Sequence, residues 1–243
     1  FSMIETKIRT RKTIDYDNLI MRTINNFIAA TLYDAYGTSA NYGGATHTRA
    51  RNLLLEYNQM AGTDLQVNHC LTDLNFLKYA TMQIMLASSR MEKISKMFNI
   101  GGRERFTPKR LQHLVTLSEF NKAADMYLQA DTYHNEFVKL EKSAEIAYWQ
   151  GSGTDYGFDS VSKINVTTKN PADIFSASNI TVEASGILAV LFDNDAMAVC
   201  NEDDRVTSHP NQRAEFVNNW YKSDAQYYND YNENGIVFFV ANP

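Results

Sequence analysis

The strongest constraint on the fold is the run Ile187-Leu188-Ala189-Val190-Leu191-Phe192. A short unbroken apolar run of this kind suits a strand buried on both faces. The run ends in Asp193-Asn194-Asp195. An acid pair at the C-terminal edge of a buried strand is the outline of a phosphohydrolase, with Asp193 as nucleophile and Asp195 as general acid/base. The plainer reading makes Asp193 the end of the strand and the cap of a short helical turn, "DAMAVC", whose free N–H groups its carboxylate accepts.

The neighbouring sequence favours the plainer reading. Phosphoryl chemistry needs a Ser or Thr for the phosphate, a Lys to offset its charge and further acids for Mg²⁺. Only 48 residues (243 − 195) follow Asp195. "NEDD", residues 201–204, comes too soon to lie on a separate strand, and Lys222 and Ser223 are neighbours in one aromatic stretch. Ala196 and Met197 stand where a small or hydroxyl residue would let a phosphate approach.

Other candidate sites are weaker. The loop "QGSGTDYGFD" contains Gly151, Gly153 and Gly157, but a phosphate loop should open a helix and carry a Lys or the Rossmann spacing, whereas "SKINVTT" after it reads as a strand. The histidines His47, His69, His113, His134 and His209 show no zinc spacing, and no G-x-S-x-G elbow is present. The sequence therefore nominates no catalytic, cofactor-binding or metal-ligating residue.

The chain is long enough for one large domain or two small ones, and 44% of it is apolar. Its formal net charge of −5 argues against a dedicated nucleic-acid binder with a basic face. Cys70 and Cys200 lie far apart, in no metal spacing, so reduced thiols are expected. No apolar run approaches the ~18 residues of a membrane span. The tripeptides at Asn165 and Asn179 match the glycosylation pattern by chance.

Residues 3–13 alternate, with Ile4, Thr6, Ile8 and Thr10 against Glu5, Lys7, Arg9 and Arg11, and predict a strand with one charged face. Lys7, Arg9, Arg11 and Lys12 read as a solvated edge, or else as a contact for phosphate or acidic neighbours. The opening, Phe1-Ser2-Met3 and then "IETKIRTRKTID", reads as mid-domain, and a preceding piece is expected. Asp15 or Asp17 then caps a helix with the stripe Ile20, Ile24, Phe27, Ile28 and Leu32, ending at Gly37. A second helix is predicted from about Thr46 to Ala61, stopped by Gly62. Asp73 caps a long helix, or two broken near Ala87-Ser88-Ser89, that ends at Gly101-Gly102. Met82, Met85, Met91 and Met97 on it read as irregular core filling rather than as a pliable partner groove.

"GGRERFTPKR", residues 101–110, breaks the composition and marks a domain boundary. "LQHLVTL" is a predicted strand, "SEFNKAADMYL" a helix with Ser118 as N-cap, and "DTYHNEFVKL" another helix. "AEIAYWQ" is extended, "GSGTDYGFD" a flexible loop, and "SKINVTT", "ITVEASGILAVLF" and "GIVFFVANP" are strands. Helices and strands mix without regular alternation, which predicts an α+β fold. The tail holds Phe216, Trp220, Tyr221, Tyr227, Tyr228, Tyr231, Phe238 and Phe239 within 24 residues, among Asn and Asp. That mixture suits either a core strand pair with exposed tyrosines or a partly wet interface.

In this order, "GILAVLFDNDAMAV", "RVTSHPNQRAEFVNNWYK" and "NENGIVFFV" resemble the C-terminal third of tailed-bacteriophage major capsid proteins with the HK97-type fold. "RLQHLVTLSEFNKAADMYLQADTYHNEF" and "AYWQGSGTDYGF" resemble that family's axial domain. The resemblance runs from about residue 15 to the end and is strongest after Arg110. It rests on order and spacing, not on a signature motif. The family's loop often reads Asn-Pro-basic-Gly-aromatic; here Pro210 precedes Asn211 and Ala214 stands where Gly is common.

The resemblance implies a peripheral domain (long helix plus strands, residues 1–105 and 200–243) and an axial domain (a central mixed sheet flanked by helices, residues 106–199). Leu188–Phe192 would be its central strand. The N-terminal arm and most of the extended loop are expected to be absent, with residues 3–13 as the loop's returning strand. It implies a non-enzymatic shell subunit that forms pentamers and hexamers of an icosahedral head around double-stranded DNA. Portal and scaffolding proteins would be partners, DNA would be touched non-specifically if at all, and no membrane or cofactor is involved. The place would be the virion capsid, after synthesis in the host bacterial cytoplasm. An encapsulin-type nanocompartment shell and the Asp193/Asp195 phosphohydrolase are the alternatives.

Overall fold

The computed structural model describes residues 2–37, 42–131, 143–150, 157–173, 175, 178–202 and 204–242. Its centre is the predicted strand, Ile187–Asp193 (β6), with every residue buried. Five strands form the sheet around it, in the order β1 (Ala50–Asn52), β11 (Gly235–Phe239), β6, β2 (Gln112–Leu117), β3 (Ser143–Ile146). β6 runs antiparallel to both β11 and β2, while β1 and β3 lie parallel to β11 and β2 at the edges, so the sheet is mixed. Burial on both faces explains the unbroken apolar run. The arrangement of helices and strands is α+β, as expected. All three segments of the expected domain division contribute strands to this one sheet.

Residues 3–13 correct the expectation of a strand. They open a 35-residue helix, α1 (Ser2–Tyr36), that ends at Gly37 with φ +74°. Arg9 pairs with Glu5 at 2.8 Å and Arg11 with Asp15 at 3.0 Å, both four residues apart. The charges that alternate along the sequence are thus helix-spaced pairs, and no returning strand of an extended loop stands here. The C-terminal half of α1 buries Phe27, Ile28 and Leu32, and Phe27 lies 6.2 Å from the Phe192 ring.

The second helix, α2 (Leu53–Ala61), starts later than expected because residues 50–52 are drawn into the sheet. Asn52 caps it by accepting from Leu55 N–H, and Gly62 ends it in the left-handed region at φ +66°. A one-turn helix, α3 (Val67–Cys70), follows. Asp73 caps α4 (Leu74–Met91), accepting from Phe76 N–H at 2.7 Å, but α4 stops at Met91 and not at the glycines. The chain instead turns back, and Ser95 and Arg105 exchange backbone hydrogen bonds across a bridge. Met91 is core, whereas Met82, Met85 and Met97 are exposed, so core filling accounts for only part of the methionine set.

α5 (Ser118–Asp131) packs on α4. The predicted helix "DTYHNEFVKL" falls, beyond Asp131, outside the described residues. Of "AEIAYWQ", β3 takes the first part and Trp149 is fully buried, its indole N–H donating to Ile187 O at 2.8 Å. Gly151 and Gly153 lie outside the described residues, and Gly157 precedes α6 (Phe158–Val161), so part of the expected loop is helical. β4 (Ile164–Lys169) and β5 (Asn179–Ala184) form an antiparallel pair packed on α1. "DAMAVC" is also corrected: after a tight turn, Met197–Asn201 is a strand, β7, paired with β10 (Ala225–Asn229). Between them β8 (Arg205–Asn211) and β9 (Phe216–Lys222) form a separate two-stranded ribbon.

Candidate functional site: a buried polar knot and an exposed aromatic arm

Asp193 is buried, while Asp195 two residues on is exposed. One Asp193 oxygen accepts Asp195 N–H at 2.9 Å and the other accepts the Thr107 hydroxyl. The Thr107 hydroxyl in turn accepts Asn234 Nδ2–H at 3.0 Å. Gln112 Nε2 donates to Thr107 O at 2.8 Å and to Ser88 O at 3.0 Å, and Ser88 Oγ donates back to Gln112 Oε1 at 2.6 Å. The knot thus joins the end of α4, the 105–111 crossing, β2, β6 and the approach to β11. Both oxygens of Asp193 are spent on structure, so it is a strand-end clasp and caps no helix. Among the described residues, no group of three or more His, Cys, Asp or Glu is placed to hold a metal ion.

Arg49 is a structural side chain that sequence patterns do not reveal. It is buried, and its guanidinium donates to the backbone oxygens of Gly235 (3.2 Å), Glu233 (3.4 Å) and Tyr231 (3.5 Å). Burial pulls its pKa down to about 10, opposed by Asp34 at 3.8 Å. Glu233 is buried beside Arg105, and burial raises its carboxyl above the ordinary value despite that partner. These two residues fix the chain where it re-enters the sheet.

The expected histidines are scattered. His47 stacks edge-on to Tyr36 at 4.6 Å, His113 lies flat on Phe192 at 5.5 Å and meets Asn194 at 3.0 Å, and His209 is exposed on β8. His69 is exposed on α3, and His134 is outside the described residues. The basic set does not form a cationic strand: Arg9 and Arg11 are paired along α1, and Lys12 pairs with Asp204.

The arm is the notable surface. Among the described residues, β8 and β9 pair only with each other, and nearly every residue of the ribbon is exposed. Cross-strand partners share a face. One face carries Val206, Tyr221 and Val217; the other carries Phe216 and Trp220. Trp220 is 64% exposed. On the adjoining β10, Tyr227 and Tyr228 are also exposed. A lone two-stranded ribbon is marginal in water, and a large exposed apolar patch marks an interaction surface. The arm is tied to the body at its base by Lys12–Asp204 and by Tyr16, whose hydroxyl donates to Val199 O at 3.4 Å.

The family model of the Phi29-like phage major capsid protein matches residues 3–239. A solved structure described as the capsid structure of Staphylococcus phage Andhra is similar over 98% of this chain, with 12% sequence identity and a TM-score of 0.49. This chain spans 62% of the length of that capsid chain. No curated protein matches it.

Proposed function

The chain belongs to the Phi29-like phage major capsid protein family, and from that premise we propose that it is a shell subunit that self-assembles into the icosahedral head of a tailed phage, enclosing double-stranded DNA. The role is structural, not enzymatic. The observation that carries the reading is the arm: exposed aromatic and aliphatic side chains on a ribbon whose strands, among the described residues, pair only with each other. Such a ribbon gains stability when a neighbouring copy covers it. Heterologous contacts of this sort generate rings, here the pentamers and hexamers of the shell.

The proposed layout is HK97-like. The peripheral part, residues 1–105 and 200–243, joins the axial part, residues 106–199, with β1 and β11 as the strands through which the outer segments enter the sheet. Portal and scaffolding proteins are the proposed further partners, and packaged DNA is touched only non-specifically. The proposed place is the virion capsid, after synthesis in the host bacterial cytoplasm. Family membership favours a phage head over a nanocompartment with protein cargo. The Asp193/Asp195 hydrolase has no supporting geometry, since both Asp193 oxygens are held by Thr107 and a backbone N–H. Electron microscopy of the full-length protein tests the reading: closed particles support it.

A further inference from the structure

Deepening the shell reading, on which it rests, we infer that the Phe216–Trp220 face of the arm docks on a neighbouring copy, against the outer face of α4 and the loop that follows it, with Trp220 in the cleft beside Arg90 and Met97. α4 presents Met82, Met85 and Leu86 to solvent, and the loop adds Ile94, Met97 and Phe106. The same surface is cationic. Residues 90–110 hold seven Lys and Arg against two Glu, in a chain of net charge −5. Lys96, Lys109 and Arg105 have acidic partners within 4.0 Å. Arg90, Lys93, Arg103 and Arg110 have none among the described residues. A cleft of about 310 Å³ opens here, lined by Arg90, Met97, Ala87 and Phe98, and by Arg51 with its partner Glu56.

Methionine, the Arg90 guanidinium and the cleft offer contacts to the two rings, while Arg205 and Lys222 on the same face of the ribbon are held by Glu202 and Asp224. Sulfur and guanidinium groups both favour ring contacts, and interface anchors are aromatic side chains in pockets. Exposed Ile94, Met97 and Phe106 suit a protein partner; a phosphate backbone would gain nothing from them. The arm's base, at Asp204 beside Lys12, lies about 22 Å along α1 from Phe27 at the sheet, at 1.5 Å per residue. Phe216 and Trp220 of the same chain are exposed, so the cleft that Trp220 fills belongs to another copy.

The test uses two variants of the full-length protein, Ile94→Cys and Asn218→Cys, each with Cys200→Ser; both target positions are exposed and Cys70 is buried. The two are co-assembled, treated with a short bismaleimide, and read by denaturing gel and electron microscopy. The inference expects linked dimers from the mixture in several-fold excess over either variant alone. Particles without that excess overturn the inference and leave the shell reading standing. Linked dimers without particles support the contact and contradict the shell reading. Neither dimers nor particles contradicts both. Particles that lose packaged DNA on Arg90→Glu/Lys93→Glu, with no linked dimers in the mixture, assign the face to nucleic acid and overturn the inference.

Discussion

Thr107 donates its hydroxyl hydrogen to Asp193, 86 residues away in sequence. That bond closes the knot at the end of the central strand, and removing the carboxylate leaves the Thr107 hydroxyl and the Asp195 N–H without their acceptor. Asp193→Ala is expected to destabilise the fold by roughly 2–4 kcal/mol, the scale of losing buried bonds to a charged acceptor. Urea denaturation of wild type and variant measures this. Neither protein is expected to hydrolyse an aryl phosphate with Mg²⁺.

Gly186 is the tight point between β5 and β6. Its φ is +78°, and a Cβ there would sit 2.0 Å from Val240 O. Gly186→Ala combines left-handed strain with a backbone clash, for an expected loss of about 2–4 kcal/mol. A thermal melt showing no loss would refute the close approach of residue 240 to this turn.

Glu233 gives the fold a pH signature. Burial raises its carboxyl above the ordinary value of 4.5, with Arg105 opposing. In the window between those two values the folded chain holds more protons than the unfolded one. This group's contribution is therefore full below pH 4.5 and is lost as pH rises through the raised value. Denaturation midpoints across that window are expected to carry this decline in wild type and not in Glu233→Gln.

The two thiols differ in access. Cys70 is buried, and burial pushes its thiol up to about 12, whereas Cys200 on β7 is exposed. Maleimide is expected to label Cys200 alone in the folded, unassembled chain, and both thiols in denaturant. Peptide mapping reads the result; labelling of Cys70 without denaturant would contradict its place in the core.

Trp220 and Trp149 report on the arm. Trp149 is fully buried and Trp220 is 64% exposed. Iodide is expected to quench the Trp220 share of the fluorescence in the dissociated subunit and to lose that access on assembly. Quenching unchanged between subunit and particle would show that the arm stays uncovered.

Much of this fold is written in local pattern. The run 187–192 is a buried strand because both its faces are covered, and Gly62 and Asp73 act as stop and cap because backbone geometry and orphan N–H groups demand it. The failures have physical causes. At residues 3–13, alternation and i,i+4 pairing coexist, and the ion pairs of Arg9 and Arg11 belong to a helix. "DAMAVC", residues 195–200, reads as a helical turn capped by Asp193, but pairing of Met197–Asn201 with β10 decides for strand. Arg49 looks like any surface arginine until the 231–235 carbonyls converge on it. In the aromatic tail, Phe238 and Phe239 are core, while Phe216 and Trp220 face solvent.

Electron microscopy of the full-length protein, purified under conditions that favour assembly, tests the central claim most directly. The account predicts closed icosahedral shells in which the β8–β9 ribbon of each subunit lies against a neighbour. A full-length product that stays strictly monomeric under those conditions would contradict it.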